Sequence, residues 1–181
     1  MVNEAANQQF GQSPDAIYDD VPGDVPGDVP GDVPDEAGEG GFVPLQDPIQ
    51  VRAITVKTGR LVCDVEIHDV RFRYTTPRLS AFVSGQYPDL PNHACVNDAG
   101  DTFGSVMERT SNAHMLEHLV ISEQVRNQSS GDAPFVGTTE WTDETAGLAR
   151  IEVGFKDDLV ALRAFNDATR FLNMAVLTCL S

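Results

Sequence analysis

A chain of 181 residues is long enough for one well-cored domain and too short for the several modules of an ATP-dependent ligase or a multidomain peptidase. The net charge of −16 is unevenly divided: residues 1–50 hold eleven of the 28 acidic side chains and no Lys or Arg. No basic stripe reverses that charge locally, so phosphate backbones and anionic headgroups are repelled and neither nucleic acid nor membrane is expected as a partner.

Taken in chain order, the first residues, Met1-Val2-Asn3-Glu4, have neither the positive charge nor the following apolar run of a secretory signal. No stretch approaches the length of a membrane span, and a soluble, cytoplasmic protein is expected. From Val21 the unit Val-Pro-Gly-Asp occurs three times before Val33-Pro34-Asp35. Pro fixes φ and removes a backbone donor, Gly favours a turn, and the Asp charges repel one another, so neither helix nor sheet propagates. Residues 1–48 are therefore expected to be a disordered acidic tail and residues 49–181 the folded domain. The cysteines Cys63, Cys95 and Cys179 are odd in number and far apart, which predicts reduced thiols rather than a disulfide framework.

The folded part opens with strand patterns. Val51 to Lys57, a Thr58-Gly59 turn and the alternation Leu61, Cys63, Val65, Ile67 predict a hairpin. The phase slips at His68-Asp69, after which Val70, Phe72 and Tyr74 alternate with Arg71 and Arg73, as in a bulged strand or one changing partners. Thr76-Pro77 supplies a cap and a first-turn proline for a short helix to about Val83. A second helix is expected from Ser111 or Asn112 to Arg126, strands at Phe135 to Thr139 and Leu148 to Phe155, and a last helix capped by Asp157 or Asp158. Leu162, Phe165, Ala168, Leu172 and Val176 form the apolar stripe of that helix. The order β-β-α-α-β-β-α implies an α+β domain, a two-layer α/β sandwich with helices packed on a largely antiparallel sheet.

The chemistry concentrates in His114-Met115-Leu116-Glu117-His118. In a helix the two histidines lie one turn apart on the same side, and Glu117 sits beside them. Two neutral imidazoles can share one metal ion, zinc being the natural choice, and a neighbouring carboxylate can take a proton from water. H-x-x-E-H is the inverted form of the zinc-protease helix. The plainer alternative is a core helix with two hydrogen-bonded histidines. Met115, Leu116, Leu119, Val120, Ile121 and Val125 place apolar residues nearly all round the helix, however, and polar rings buried there call for a partner.

The wider string Tyr87-Pro88-x-Leu90-x-x-His93-x-Cys95, then Gly104, Glu108, Thr110, the H-x-x-E-H helix, Gln124, Val136-Gly137 and Thr139, resembles the amino-terminal domain of cyanophycin synthetases over roughly residues 85–155. That resemblance implies a metallopeptidase-like centre that cuts an aspartate-arginine polymer into primers, with a zinc helix similar to that of pitrilysin-type peptidases. It assigns His114 and His118 as zinc ligands and Glu117 as the base. His93, in the matched His-x-Cys element, is the preferred third ligand. The downstream glutamate of pitrilysin-type enzymes leaves Glu140 or Glu152 as alternatives, and Cys95 reads as a small buried side chain. These 181 residues hold no glycine-rich phosphate loop of the kind the family's ligase modules carry, and synthetase activity is not expected of them.

The expected function is a zinc-dependent peptide hydrolase acting on a peptide or polypeptide, with arginine-rich or cyanophycin-like chains favoured by the resemblance. A non-catalytic metal- or peptide-binding module is the alternative. His68 reads as a surface bend residue, Arg71 and Arg73 as a solvated face, and Trp141 as a packing residue.

Overall fold

The computed structural model describes residues 46–127 and 135–180. The Val-Pro-Gly-Asp repeats, and with them all but the last three residues of the expected acidic tail, lie outside those residues.

Ile49 enters the fold tied to the last helix by two hydrogen bonds: its amide donates to Asn173 Oδ1 at 2.8 Å, and its carbonyl accepts from Asn173 Nδ2 at 3.0 Å. The chain then forms the expected hairpin, β1 (Gln50–Lys57) and β2 (Arg60–Glu66). Gly59 closes it at φ 73°, where a side chain would be strained. Helix α1 (Pro77–Gln86) begins as expected, with the Thr76 side chain accepting from the Leu79 amide at 3.2 Å and Pro77 at the first position. A short ribbon follows, β3 (Ala94–Asn97) and β4 (Gly100–Thr102), flanked by 3-10 turns at Leu90–Asn92 and Phe103–Ser105. After helix α2 (Asn112–Asn127) come β5 (Gly137–Asp143), β6 (Leu148–Gly154) and helix α3 (Asp158–Leu180). The cap of α3 is Asp157, whose carboxylate accepts from the Leu159 and Val160 amides at 2.9 and 3.0 Å.

The domain is α+β. Its main sheet is antiparallel throughout, in the order β1-β2-β6-β5. Alternate residues of the two central strands, Leu61, Cys63 and Val65 with Ala149, Ile151 and Val153, are almost wholly buried, and all but Leu61 belong to one core with α2 and α3. The opposite face is charged and built of cross-strand pairs. Arg150 donates to Asp64 at 2.8 Å and Arg60 to Glu152 at 2.8 Å, and Arg52 pairs with Glu66. Among the described residues, no helix is long and apolar enough to cross a membrane.

The strand expected at Val70, Phe72 and Tyr74 does not form. Asp69 caps a 3-10 turn at Val70–Phe72 by accepting from the Arg71 amide at 2.9 Å, and a single bridge between Tyr74 and Ser111 is what remains of strand pairing there. Arg71 pairs with Asp69 at the surface. Arg73 instead turns inward and donates to four carbonyls: those of Ile67 and His68 at 3.2 Å each, Glu144 at 2.7 Å and Thr145 at 3.1 Å. One guanidinium thus clamps the end of β2 to the β5–β6 turn, where a side chain on Gly147, at φ 76°, would run into the Ile67 carbonyl.

Candidate metal centre

Helix α2 is the innermost element. Ala113, Met115, Leu116, Leu119 and Val120 are fully buried among β5, β6, α3 and the loop that carries the ribbon. The helix is thus buried on nearly all sides up to Val120, as expected, but Val125 in its last turn is exposed and does not belong to that apolar surround. Its first turn is set by Ser111, whose hydroxyl accepts from the His114 amide at 3.1 Å.

Four residues apart on this helix, His114 and His118 turn their Nε2 atoms toward each other at 3.2 Å. The ribbon brings the third donor: Cys95, on β3, places Sγ 3.5 Å from His114 Nε2. The donor atoms of Cys95, His114 and His118 all lie within 4.8 Å of one another, so this group could hold a metal ion. Asn97 shapes the ribbon's turn, its Oδ1 accepting from the Ala99 and Gly100 amides at 2.9 Å each and from the Ser105 hydroxyl at 3.1 Å. Phe103, fully buried, walls the centre, lying nearly parallel to the His118 ring at 3.9 Å and edge-on to His114 at 5.1 Å.

The spacing suits a tetrahedral ion. Zn–N bonds of roughly 2.0–2.1 Å and Zn–S bonds of roughly 2.3 Å give tetrahedral edges of about 3.3 Å between two nitrogens and about 3.6 Å between nitrogen and sulfur. The two edges in the structure, 3.2 and 3.5 Å, fall beside those values. Burial also keeps the rings in the neutral form that binds metals. It lowers the pKa of His93 and His114, and it drives His118 down to about 3, with the nearby His114 and His93 adding to the effect.

His93, the expected third ligand, stands on the other side of the His118 ring. Its Nδ1 meets His118 Nδ1 at 3.3 Å, across the imidazole from His114, and it is not among the three converging donors. Glu140 and Glu152 sit on the charged outer face of the sheet, Glu140 opposite Arg150 and Glu152 bonded to Arg60, and neither approaches the histidines. The residue that joins the two histidines is Cys95: it is buried as expected, but the reading of it as a packing side chain and not a donor is corrected by its Sγ lying within reach of both rings.

Glu117 faces β5. Its Oε2 accepts from Thr139 Oγ1 at 2.6 Å, and its carboxyl lies flat against Gly137, where a Cβ atom would come within 2.5 Å of Oε1. Burial raises its pKa to about 7, partly offset by the Thr139 hydrogen bond. His68 is exposed beside Glu66 at 3.6 Å, and Trp141 packs half-buried against the core with its ring 6.2 Å from that of Tyr74.

Three polar residues complete the surroundings: Thr110 and Thr139, which belong to the matched string but were given no role there, and Ser122, which the sequence does not single out. Thr110 Oγ1 lies 2.8 Å from His114 Nδ1, Ser122 Oγ lies 3.3 Å from His93 Nε2, and Thr139 holds Glu117. A signal for two of them was present, since Thr110, His114, His118 and Ser122 recur at intervals of four along one helical stripe. No family model matches the chain, and no curated protein sequence matches it.

Proposed function

We propose that this domain is a zinc-dependent peptide hydrolase of the kind found at the amino terminus of cyanophycin synthetases, with the metal held by Cys95, His114 and His118. The observation that carries the reading is the convergence of one sulfur and two ring nitrogens at tetrahedral spacing within a helix that carries a glutamate between its two histidines. A thiolate with two imidazoles is a donor set that suits zinc, and three protein ligands leave a fourth position open. Bound there, zinc supplies Lewis acidity toward a carbonyl oxygen and a lowered pKa for water.

The chain's own groups supply the rest. Glu117 takes the proton of the attacking water and returns it to the leaving amine, and a carboxyl with a pKa near 7 is suited to both steps at neutral pH. Thr139 orients that carboxyl, and Gly137 gives it room to lie on the strand. Peptides rich in arginine are the favoured substrates, on the strength of the resemblance over residues 85–155 and of the domain's acidic balance.

The experiment is metal analysis of the purified protein, together with cleavage assays on arginine-containing peptides and on aspartate-arginine polymer. Glu117→Gln is expected to abolish cleavage while one zinc per chain is retained, and undiminished turnover by that variant overturns the mechanism. A second reading, a metal-binding module without catalysis, is favoured by one observation: Glu117 is already engaged by Thr139 and its carboxylate is not among the converging donors. Zinc bound by the wild type with no cleavage of any of these substrates is the outcome that reading requires.

A further inference from the structure

Three imidazoles meet at this centre, and each of their six nitrogens has a neighbour. For His114 and His118 to offer their Nε2 lone pairs to one cation, each neutral ring must carry its proton on Nδ1. The surroundings provide a taker for both protons. In that tautomer His114 Nδ1–H donates to Thr110 Oγ1, 2.8 Å away, and His118 Nδ1–H to His93 Nδ1, 3.3 Å away. His93 must then hold its own proton on Nε2, and Ser122 Oγ accepts that one at 3.3 Å. The assignment places three protons on three rings, leaves all of them neutral, and bares only the two nitrogens that face each other.

We infer that Thr110 and His93 are positioning residues, each locking one ligand imidazole in the tautomer that turns Nε2 to the metal. This rests on the metal reading of the preceding subsection. Thr110 is suited to the role because its backbone is pinned: its amide donates to Thr75 Oγ1 at 3.0 Å, and its carbonyl accepts from the Thr75 amide at 2.8 Å. His93 is fixed from two sides, by Ser122 and by its carbonyl, which accepts from the Phe103 amide at 2.8 Å. Outer partners of this kind raise ligand basicity and set ring orientation, and their loss typically costs about 10–100-fold in metal affinity.

The test measures zinc affinity by chelator competition, and the visible and near-ultraviolet spectrum of the cobalt(II)-loaded chain, for the full-length wild type and two pairs of variants. Thr110→Val and His93→Leu keep bulk but remove the acceptor, and each is expected to weaken zinc roughly 10–100-fold. Thr110→Ser and His93→Gln restore an acceptor and are expected to recover most of that loss, with tetrahedral cobalt bands and a thiolate-to-cobalt band unchanged from wild type. If the wild type shows that thiolate band but Thr110→Val and His93→Leu bind zinc as tightly as it does, the positioning roles are overturned and the metal centre stands. If His93→Gln is as weak as His93→Leu and its cobalt bands change, His93 is itself a ligand and its positioning role falls. If the wild type binds neither ion, or binds cobalt without the thiolate band, the metal centre falls and this inference with it.

Discussion

Two buried groups on α2 have pKa values displaced toward their neutral forms, and they respond to pH in opposite senses. Glu117, lifted from 4.5 to about 7, binds its proton more tightly in the folded chain than in the unfolded one. Its contribution to stability is complete below about pH 4.5 and is lost as pH rises through about 7. His118, depressed from 6.5 to about 3, contributes fully above about pH 6.5 and loses that contribution as pH falls toward 3. In metal-free protein, Glu117→Gln should therefore match the wild type near pH 4.5 and become the more stable of the two by pH 7.5. The gap is at most about 3 kcal/mol, since each pKa unit corresponds to about 1.4 kcal/mol. Urea midpoints at the two pH values check this, and a gap that does not widen removes burial as the cause of the shift. At this scale the sequence conveyed the participants but not their bonds. His93 and Cys95, two apart, point to the same side of an extended chain, so both were bound to approach α2. Which of them meets Nε2 and which meets Nδ1 depends on where the ribbon sits relative to the helix, and that is fixed by the turn that Asn97 organises and by Phe103, not by spacing.

Elements were legible where a local signal and the hydrophobic period agreed. Thr76, Ser111 and Asp157 each cap the helix that their position suggests, and the buried residues of α3 follow its apolar stripe. The segment Val70 to Tyr74 shows the converse. Its alternation has the period of a strand, but Asp69 offers its carboxylate to the Arg71 amide and Arg73 finds four carbonyls across the molecule, and these bonds outweigh the pattern. The ribbon β3–β4 was too short and too polar to carry a period at all. Contact between α2 and β5 gives a prediction at this scale. Because a side chain at position 137 would overlap the Glu117 carboxyl, Gly137→Ala should destabilise the domain by about 1–3 kcal/mol. Combining it with Glu117→Ala should recover part of that loss, as read from denaturation midpoints of the single and double variants. Additive effects would place the strain elsewhere than between strand and helix.

For the molecule as a whole, two of the three donors belong to its innermost helix and the third to a short ribbon at the surface. Met115, Leu116, Leu119 and Val120 are fully buried, whereas Ala94 and Val96 on either side of Cys95 are exposed. Zinc at a hundredfold over its Kd adds about 2.7 kcal/mol to stability, so chelation should lower the melting temperature by roughly 8–10 °C in a domain of this size. Unchanged melting on chelation would mean that no ion is held by the folded chain. The unequal burial has a further consequence for how capture proceeds. The histidine pair is held by a packed helix, whereas the cysteine sits on a ribbon whose flanking residues face solvent, so zinc is expected to steady the ribbon more than the helix. Amide exchange should therefore slow at residues 94–102 when zinc is added and stay nearly constant along α2, so that the ion's arrival registers as quiet in the periphery rather than as change at the centre.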